Sequence, residues 1–400
     1  MIKSIRESFN HNFSESNYKI FLQDLDNIKP GALAFRVAET PVFINKELTS
    51  KIINACESIV DVITAENFKN LTEGAIPINE KVPHENDHTH FIAFDFGICE
   101  NDRGEIEPQL IEMQGFPSLF ALQAYYPELI RKHYDIPANF DNYLNGYNKE
   151  TYIELLKDII LRGNEIENVI LLEIKPHEQK TRIDFYCTHE YLQIPIVCIT
   201  ELLQKGNKLF YKIEGRDIEI KRIYNRIIFD ELQQQKKSLP AIVDITQELD
   251  VEWVPHPNWF YRISKYTLPF IHHPYIPETF FLNDVKQLSG TLDEYVLKPL
   301  FSFAGQGVII DVTDADIESI TDPENWILQR KVKYADIIAT PDGPAKAEVR
   351  IFYFWKDGWE RPVAVNNLAR LSKGKMIGVR YNADKTWVGG SVAFFESKIN

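Results

Sequence analysis

Apolar residues recur at helical spacing near the start of the chain. Between Asn45 and Val60 they fall three and four positions apart, which predicts an amphipathic helix with one buried face. Residues 1–80 as a whole are expected to be mainly helical.

The following residues show a pattern that is typical of β-strands. Residues 91–99 (FIAFDFGIC) predict a strand, Asn-Asp-Arg-Gly at 101–104 is turn chemistry, and Gln109 to Met113 predicts a second strand. Together they predict a β-hairpin, and helical text follows from Ser118 to His133.

The middle of the chain predicts a βαβ unit. An apolar run at 168–174 is typical of a buried strand, a polar helical stretch follows from Glu178 to Tyr191, and residues 194–200 predict another strand. The unit has no G-x-G-x-x-G fingerprint, so the sequence gives little support to dinucleotide binding. Further strands near 208–213 and 218–221 precede a helix that ends near Gln235.

Proline marks an irregular connector. Six of the 21 prolines fall between residues 240 and 277. The sequence after this connector is rich in predicted strands, so a domain boundary is expected near 275–285. The strands are predicted at 294–299, 307–312, 326–332, 347–355 and 361–370.

Composition narrows the class of protein. The 400 residues carry 44 Lys+Arg against 58 Asp+Glu, a net charge of −14, and no basic run stands out. This balance argues against a nucleic-acid binder that works by counterion release, although a local basic pocket remains compatible with it. No apolar run approaches the ~20 residues of a membrane span, and the polar N-terminus lacks the centre of a secretory signal. A cytoplasmic protein is expected.

The four cysteines form no C-x-x-C pair. Cys56, Cys99, Cys187 and Cys198 are expected to be reduced, mostly buried thiols. A structural zinc site built on them is not expected.

One glycine-containing segment is suited to anion binding. A predicted strand ends at Lys298, a loop with Gly305 and Gly307 follows, and a second strand begins at Val308. Small residues let backbone N–H groups approach an anion, and the lysine adds fixed positive charge. No G-K-[S/T] closes the loop, so it is not a Walker A motif. A glycine-containing hairpin with a surface lysine is the alternative.

The strands that follow carry further basic side chains. Strand alternation places Glu348 and Arg350 on one face. Arginines on buried strands usually need an anion, and a polyphosphate is a natural one. The other polar candidates in this region are Gln329, Lys331, Arg370 and Arg380.

The predicted hairpin supplies acidic groups. Alternation puts Glu112 and Gln114 on one face, and a turn near 102–103 could place Asp95 on the same face. Two carboxylates and an amide oxygen suit Mg²⁺ bridged to phosphates. An ordinary amphipathic hairpin with a solvated acidic face is the alternative.

These motifs, taken in chain order, resemble the circularly permuted branch of the ATP-grasp enzymes, the glutathionylspermidine synthase-like family. The resemblance rests on Lys298-Pro-Leu-x-x-x-x-Gly-x-Gly, on His273-Pro-Tyr-Ile before Asn283-Asp, and on an acidic hairpin that comes first. It spans about residues 90–390. The sequence departs from the family at Gln114, where the family has Asn, and at Ala93, where it often has Arg.

The resemblance implies an α/β fold with an ATP-grasp core in permuted order and a Rossmann-like βαβ subdomain. The implied regions are a helical N-terminus, a metal-binding hairpin, the βαβ subdomain with its connector, and the ATP-binding lobe, at 1–90, 91–150, 151–277 and 278–400. It also implies three sets of site residues. ATP would be bound by Lys298, Ser302, Gly305, Gln306, Gly307, Gln329, Lys331 and Val332. Mg²⁺ would be held by Asp95, Glu112 and Gln114, and Arg350, Arg370 and Arg380 would stabilise the transferred phosphoryl group and the tetrahedral intermediate.

The activity implied is that of an ATP- and Mg²⁺-dependent carboxylate–amine ligase. It would form an amide or peptide bond through an acyl phosphate and release ADP and phosphate. The substrates would be a small-molecule carboxylate and an amine, a peptide or polyamine among them, and neither nucleic acid nor a membrane is an expected partner. A small-molecule kinase and a nucleotide-binding protein without ligase activity are the alternatives, the latter favoured by Ala93 and Gln114. The sequence indicates no oligomeric state.

Two smaller motifs keep more than one interpretation. The loop HENDHTH contains His84, His88 and His90, and it could be a transition-metal site, the rim of a cleft or a solvated loop. Arg36 and Glu39 could form a clamp for a substrate carboxylate or an exposed ion pair.

Overall fold

A computed structural model describes residues 2–235, 239–240, 242–285, 288–301, 307–374, 377, 382 and 384–397. Ten helices lie in this part of the chain. They are α1 (Lys3–Asn12), α2 (Glu15–Asp26), α3 (Lys46–Ile63), α4 (Phe68–Leu71), α5 (Leu122–His133), α6 (Lys149–Leu161), α7 (Arg182–Leu192), α8 (Phe229–Gln235), α9 (Asn258–Arg262) and α10 (Asp314–Glu318).

Eighteen strands, again within the described ranges, form five sheets. In the first half of the chain they are β1 (Val42–Ile44), β2 (Phe91–Glu100), β3 (Ile106–Gln114), β4 (Phe140–Asp141), β5 (Val169–Glu173), β6 (Ile196–Cys198), β7 (Leu203–Lys205), β8 (Lys208–Ile213) and β9 (Arg216–Ile220). In the second half they are β10 (Arg222–Asn225), β11 (Glu252–Val254), β12 (Thr279–Phe281), β13 (Tyr295–Pro299), β14 (Trp326–Arg330), β15 (Lys346–Phe354), β16 (Val363–Ser372), β17 (Gly389–Ser391) and β18 (Ala393–Glu396).

The predicted elements are largely confirmed. The β2–β3 hairpin, the β5–α7–β6 unit and helix α3 lie where periodicity indicates, and Asn45 caps α3 by accepting from the Leu48 N–H. The strand predicted at 307–312 is wrong as a regular element: only Ile309 pairs, in an isolated bridge to Leu297. The helix predicted from Ser118 begins at Leu122, whose N–H donates to Asp184 over 2.9 Å.

The central sheet has the order β17-β16-β15-β2-β3 with antiparallel neighbours. It therefore joins the early hairpin to strands more than 230 residues later in the chain. One face of β2 (Ile92, Phe94, Phe96, Ile98) packs into the same core as α3.

The opposite face of the central sheet changes character along its length. At one end Phe91, Ala93 and Phe352 lie in an apolar core. Beyond them the residues in register are Asp95 opposite Arg350, and Gly97 opposite Glu348. The strand pattern thus places a charged cluster where the apolar core of this face ends.

The sheet of the βαβ region is parallel and has the order β11-β10-β5-β6. Its central strands β5 and β10 are short and buried along their whole length, as is usual for parallel sheets. The carboxyl ends of β5 and β10 lead to Glu173 and Arg226, and ligands often bind at such an edge.

A three-stranded sheet, β12-β14-β13, meets the edge of the central sheet. The β2–β3 ladder slips between Asp95 and Phe96, which leaves Ile111 as an extra residue on β3. Its carbonyl accepts from Lys298 of β13 over 3.3 Å, so the bulge joins the two sheets. Among the described residues no helix is long and apolar enough to cross a membrane.

Candidate functional site

The charged cluster is centred on Asp95. Asp95 lies opposite Glu112 on β3 and opposite Arg350 on β15, and residues paired in this way point to the same face of a sheet. Arg350 holds both carboxylate oxygens of Asp95, with its Nε on Oδ1 and its Nη2 on Oδ2 at 2.5 Å. Arg370 adds a third donor, its Nη2 lying 2.6 Å from Oδ2.

Electrostatics keep Asp95 ionised. The side chain is 2% exposed, and burial by itself would raise its pKa. Arg350 and Arg370 outweigh that effect, so the pKa of Asp95 is lowered. The carboxylate is therefore a stable anchor for two guanidinium groups.

Glu348 supports Arg370 from the adjacent strand. The two residues are in register, and Arg370 Nη2 lies 2.8 Å from Glu348 Oε2. Tyr334 donates its hydroxyl proton to the other oxygen of Glu348. Burial raises the pKa of Glu348, and the Arg370 charge opposes that rise.

Gly97 makes room for Tyr334. A Cβ at Gly97 would lie 2.7 Å from Cε1 of the Tyr334 ring and 3.2 Å from Cδ1 of Ile111. Glycine is thus needed so that the phenol can reach Glu348 across the sheet.

We expect Gly97→Ala to lower the free energy of unfolding by about 1–3 kcal/mol, the usual cost of overpacking. Urea unfolding would measure it. In a Tyr334→Ala background the same substitution should cost clearly less, because the clashing ring is gone. An equal cost in both backgrounds would contradict the proposed close approach.

Two lysine side chains lie beside the cluster, Lys298 on β13 of the neighbouring sheet and Lys265 in a 3-10 turn that precedes that sheet. Lys298 Nζ donates to Gln329 Oε1 over 2.5 Å, and within the described chain it forms no ion pair shorter than 4.0 Å. Burial lowers the pKa of Lys298 to about 8, although Glu112 acts in the opposite direction. Lys265, 8% exposed, lies close enough to contribute to that lowering.

The structure brings together most of the predicted site residues that it describes. Asp95, Glu112, Arg350 and Arg370 form one cluster, and Lys298 and Gln329 adjoin it. Four other predicted residues lie outside the described ranges: Ser302, Gly305, Gln306 and Arg380.

The contacts that the structure describes for the remaining predicted residues are to residues outside this cluster. Gln114 donates its amide to the Phe116 carbonyl over 3.1 Å, and Lys331 lies 3.2 Å from Asp311. Gly307 has a φ of 74°, a conformation that favours glycine, and Val332 follows β14.

The predicted magnesium set fits only in part. In the described part of the chain no group of three or more His, Cys, Asp or Glu side chains is placed to hold a metal ion. Arginines occupy both oxygens of Asp95, whereas Glu112 is 40% exposed. Mg²⁺ usually keeps several waters and binds one or two carboxylates beside substrate phosphates, and Glu112 with Gln114 suits that role.

Two histidines of the histidine-rich loop share one carboxylate, because His88 Nε2 lies 3.8 Å and His90 Nε2 lies 3.4 Å from Asp357 Oδ1. His84 pairs with Glu248 at 2.7 Å, and His88 stacks on Trp355 with ring centroids 4.2 Å apart. His90 is buried 3.4 Å from Asp357 and lowers the pKa of that carboxyl to about 2.

The Arg36–Glu39 pair is only partly exposed. Glu39 is buried, and one of its oxygens accepts from the Trp387 N–H over 2.7 Å. The Arg36 carbonyl accepts from the Gly390 N–H over 2.8 Å. These contacts fasten the segment around Arg36 to strand β17.

Sequence reasoning missed a second buried cluster. Arg226 lies 3.6 Å from Asp184, which is fully buried. Burial raises the pKa of Asp184 to about 6 and that of Glu173 to about 8. Glu173 and Arg226 stand at the carboxyl ends of parallel strands, and that position was the signal available in the sequence.

Ser118 joins the two clusters. Its hydroxyl accepts from Arg350 Nη1 over 3.2 Å, and its carbonyl accepts from Arg226 Nη1. The charged face of the central sheet is therefore continuous with the edge of the parallel sheet.

Comparison with known proteins supports this architecture. No protein-family model matches the chain, and no curated protein sequence matches it. The fold is similar to that of a glutathione synthetase-like effector from Globodera pallida, solved in its apo form, with a TM-score of 0.58 and 10% identity. The likeness covers 97% of this chain and 99% of that chain. The chain has a glutathione synthetase-like α/β fold.

Proposed function

We propose that this protein is an ATP- and Mg²⁺-dependent carboxylate–amine ligase with an ATP-grasp core in circularly permuted order. The observation that carries the proposal is the contact between two sheets, where Lys298 of β13 reaches the bulge beside Glu112. Lysine, carboxylate and two arginines then lie in one cluster, as the transfer of a phosphoryl group requires.

The lysines are assigned to the phosphates. Lys298 and Lys265 offer positive charge from the β12-β14-β13 side, and Gln329 orients the Lys298 ammonium group. Mg²⁺ would be held by Glu112 and Gln114 and would neutralise charge on the phosphate oxygens when bound. Lys331 and Val332, which follow β14, would line the nucleotide site.

The arginines are assigned to the reacting groups. A substrate carboxylate oxygen attacks the γ-phosphorus, the bond to the β–γ bridging oxygen breaks, and ADP leaves. An amine then attacks the acyl phosphate, the C–O bond to phosphate breaks, and the amine proton leaves with solvent. Arg350 and Arg370 would stabilise the transferred phosphoryl group because their guanidinium groups are already oriented by Asp95 and Glu348.

The second cluster is assigned to the carboxylate substrate. Arg226 and Arg350, which is assigned to the phosphoryl group, both donate hydrogen bonds to Ser118. An anionic substrate held near Arg226 would lie beside the reacting phosphorus, and the parallel-sheet edge is a usual position for such a ligand.

Nucleotide binding is the first test. Mg²⁺-ATP at 100 times its Kd should stabilise the native state by about 2.7 kcal/mol and raise the thermal midpoint. We expect that rise to be lost in Lys298→Ala. Lys208→Ala should keep the rise, because Lys208 lies on a different sheet from Lys298 and pairs there with Glu219. No rise in the wild type at millimolar ATP would contradict the proposal.

Hydroxylamine distinguishes a ligase from a kinase. With ATP and a mixture of carboxylates, it traps an acyl phosphate as a hydroxamate, whereas a kinase product gives none. ATP binding with neither hydroxamate nor ADP from any carboxylate would instead favour a nucleotide-binding protein without ligase activity.

A further inference from the structure

The most tightly connected carboxylate of the proposed site is Asp95. Two arginines hold it, and the Glu112 side chain lies within hydrogen-bonding distance of it. Arg350 grips it in a two-point fork, and Arg370 adds a third donor. A metal ion needs a lone pair directed at it from the same oxygens. Coordination by Asp95 would thus require breaking charge-assisted hydrogen bonds in a buried position, which is costly.

We propose, on the basis of the proposed function, that Asp95 is a positioning residue for Arg350 and Arg370 and does not ligate magnesium. Its carboxylate fixes the planes of both guanidinium groups and leaves their remaining N–H groups for phosphate. Metal binding then falls to Glu112 and Gln114 on the adjacent strand.

The charge balance agrees with this division. Three carboxylates, Asp95, Glu112 and Glu348, meet four cations, Arg350, Arg370, Lys298 and Lys265. The cluster carries no excess negative charge to attract a free divalent cation. A nucleotide brings its own negative charge, so the cation is expected to arrive with the nucleotide.

The geometry also explains how the chain manages with Ala93. Ala93 packs in the apolar core and is opposite Phe352 and Gln114. A cation on the phosphate side of β2 therefore has to come from another strand. Arg350 on β15 lies on that side, because it is in register with Asp95, which is two residues after Ala93 on β2.

The test separates metal binding from arginine positioning. ATP affinity would be measured by calorimetry in Mg²⁺ and in EDTA for wild type, Asp95→Asn, Glu112→Gln and Arg350→Lys. We expect Asp95→Asn to weaken ATP about tenfold in both buffers, and Glu112→Gln to weaken it only in Mg²⁺. Arg350→Lys should weaken ATP binding as Asp95→Asn does. The double variant Asp95→Asn/Arg350→Lys should bind ATP no more weakly than either single variant, because both substitutions act through one pair. Asp102→Asn in the exposed hairpin turn is the matched control.

A second measurement needs no nucleotide. Mn²⁺ would be titrated into the nucleotide-free protein and followed by electron paramagnetic resonance. The proposal expects the same Mn²⁺ binding curve in wild type and Asp95→Asn, whether that curve shows binding or none. Loss of a wild-type Mn²⁺ site in Asp95→Asn, or a Mg²⁺-only effect of that variant on ATP, would overturn the proposal. If the wild type binds no ATP, the proposed function fails; Mn²⁺ binding that is equal in wild type and Asp95→Asn would then still support the role of Asp95, and Mn²⁺ binding lost in Asp95→Asn would overturn it.

Discussion

Replacing Arg370 with methionine should lower the rate of acyl-phosphate formation by about 10²- to 10³-fold, the usual cost of removing one donor to a charged transition state. Arg370 is anchored by Asp95 at 2.6 Å and by Glu348 at 2.8 Å. Because both partners are fixed on neighbouring strands, the guanidinium group is oriented before the substrate arrives.

Hydroxamate formation from ATP and the accepted carboxylate would measure this effect. Arg370→Lys should recover only part of the rate, because an ammonium group keeps the charge but lacks the planar set of further N–H donors. Arg361→Met, which removes an exposed arginine paired with Glu57, should leave the rate unchanged. A change of less than about threefold in Arg370→Met would place the reacting phosphoryl group elsewhere.

The alternation of residues along single strands was sufficient to predict part of this site. Period-two alternation put Glu348 and Arg350 on one face, and the register confirms it. In the hairpin Asp95 lies opposite Glu112, an arrangement that the hairpin hypothesis allowed but whose register the sequence did not specify. The first result follows from strand alternation alone. The second also needs the bulge at Ile111, because an unbroken ladder would pair Asp95 with Ile111.

The pairing of β15 with β2 could not be predicted in the same way. Arg350 and Asp95 are 255 residues apart, and nothing in either strand specifies the other as a partner. The magnesium interpretation of Asp95 came from its neighbours within the hairpin. The arginines that occupy its oxygens come from strands whose position depends on the whole fold.

The bulge at Ile111 was also beyond reach of the sequence. It has no glycine or other marker, yet it presents the carbonyl that Lys298 contacts. Conversely, the apolar run at 307–312 satisfied the pattern of a strand but found only one bridge partner. A run of apolar residues can form a strand, but whether it pairs depends on a free sheet edge beside it in the fold.

Replacing Arg226 with methionine should lower the free energy of unfolding by about 3–5 kcal/mol at pH 7, because removing one member of a buried ion pair leaves the other uncompensated. Asp184 is fully buried, and Arg226 is the cation beside it at 3.6 Å. The Glu173 carboxyl nearby, whose pKa is raised to about 8, supplies no positive charge.

This loss should depend on pH in a defined direction. The pKa of Asp184 in the native protein is about 6, above its usual value, so the native state binds more protons than the unfolded state between the two values. Stability therefore falls as pH rises through this window. Without Arg226 the native pKa rises further, and the fall continues to higher pH. The difference between wild type and Arg226→Met should thus be smaller at pH 5 than at pH 7.

Urea unfolding at the two pH values would measure this dependence. Arg222→Met is the informative comparison, because Arg222 is equally buried but its carboxylate partner Glu252 is 55% exposed and can be hydrated again. Its loss should show little dependence on pH. Adding Asp184→Asn to Arg226→Met should restore part of the stability at pH 7, since no charge is then left buried. A pH-independent loss in Arg226→Met, or no recovery in the double variant, would mean that packing around Arg226 contributes more than its charge.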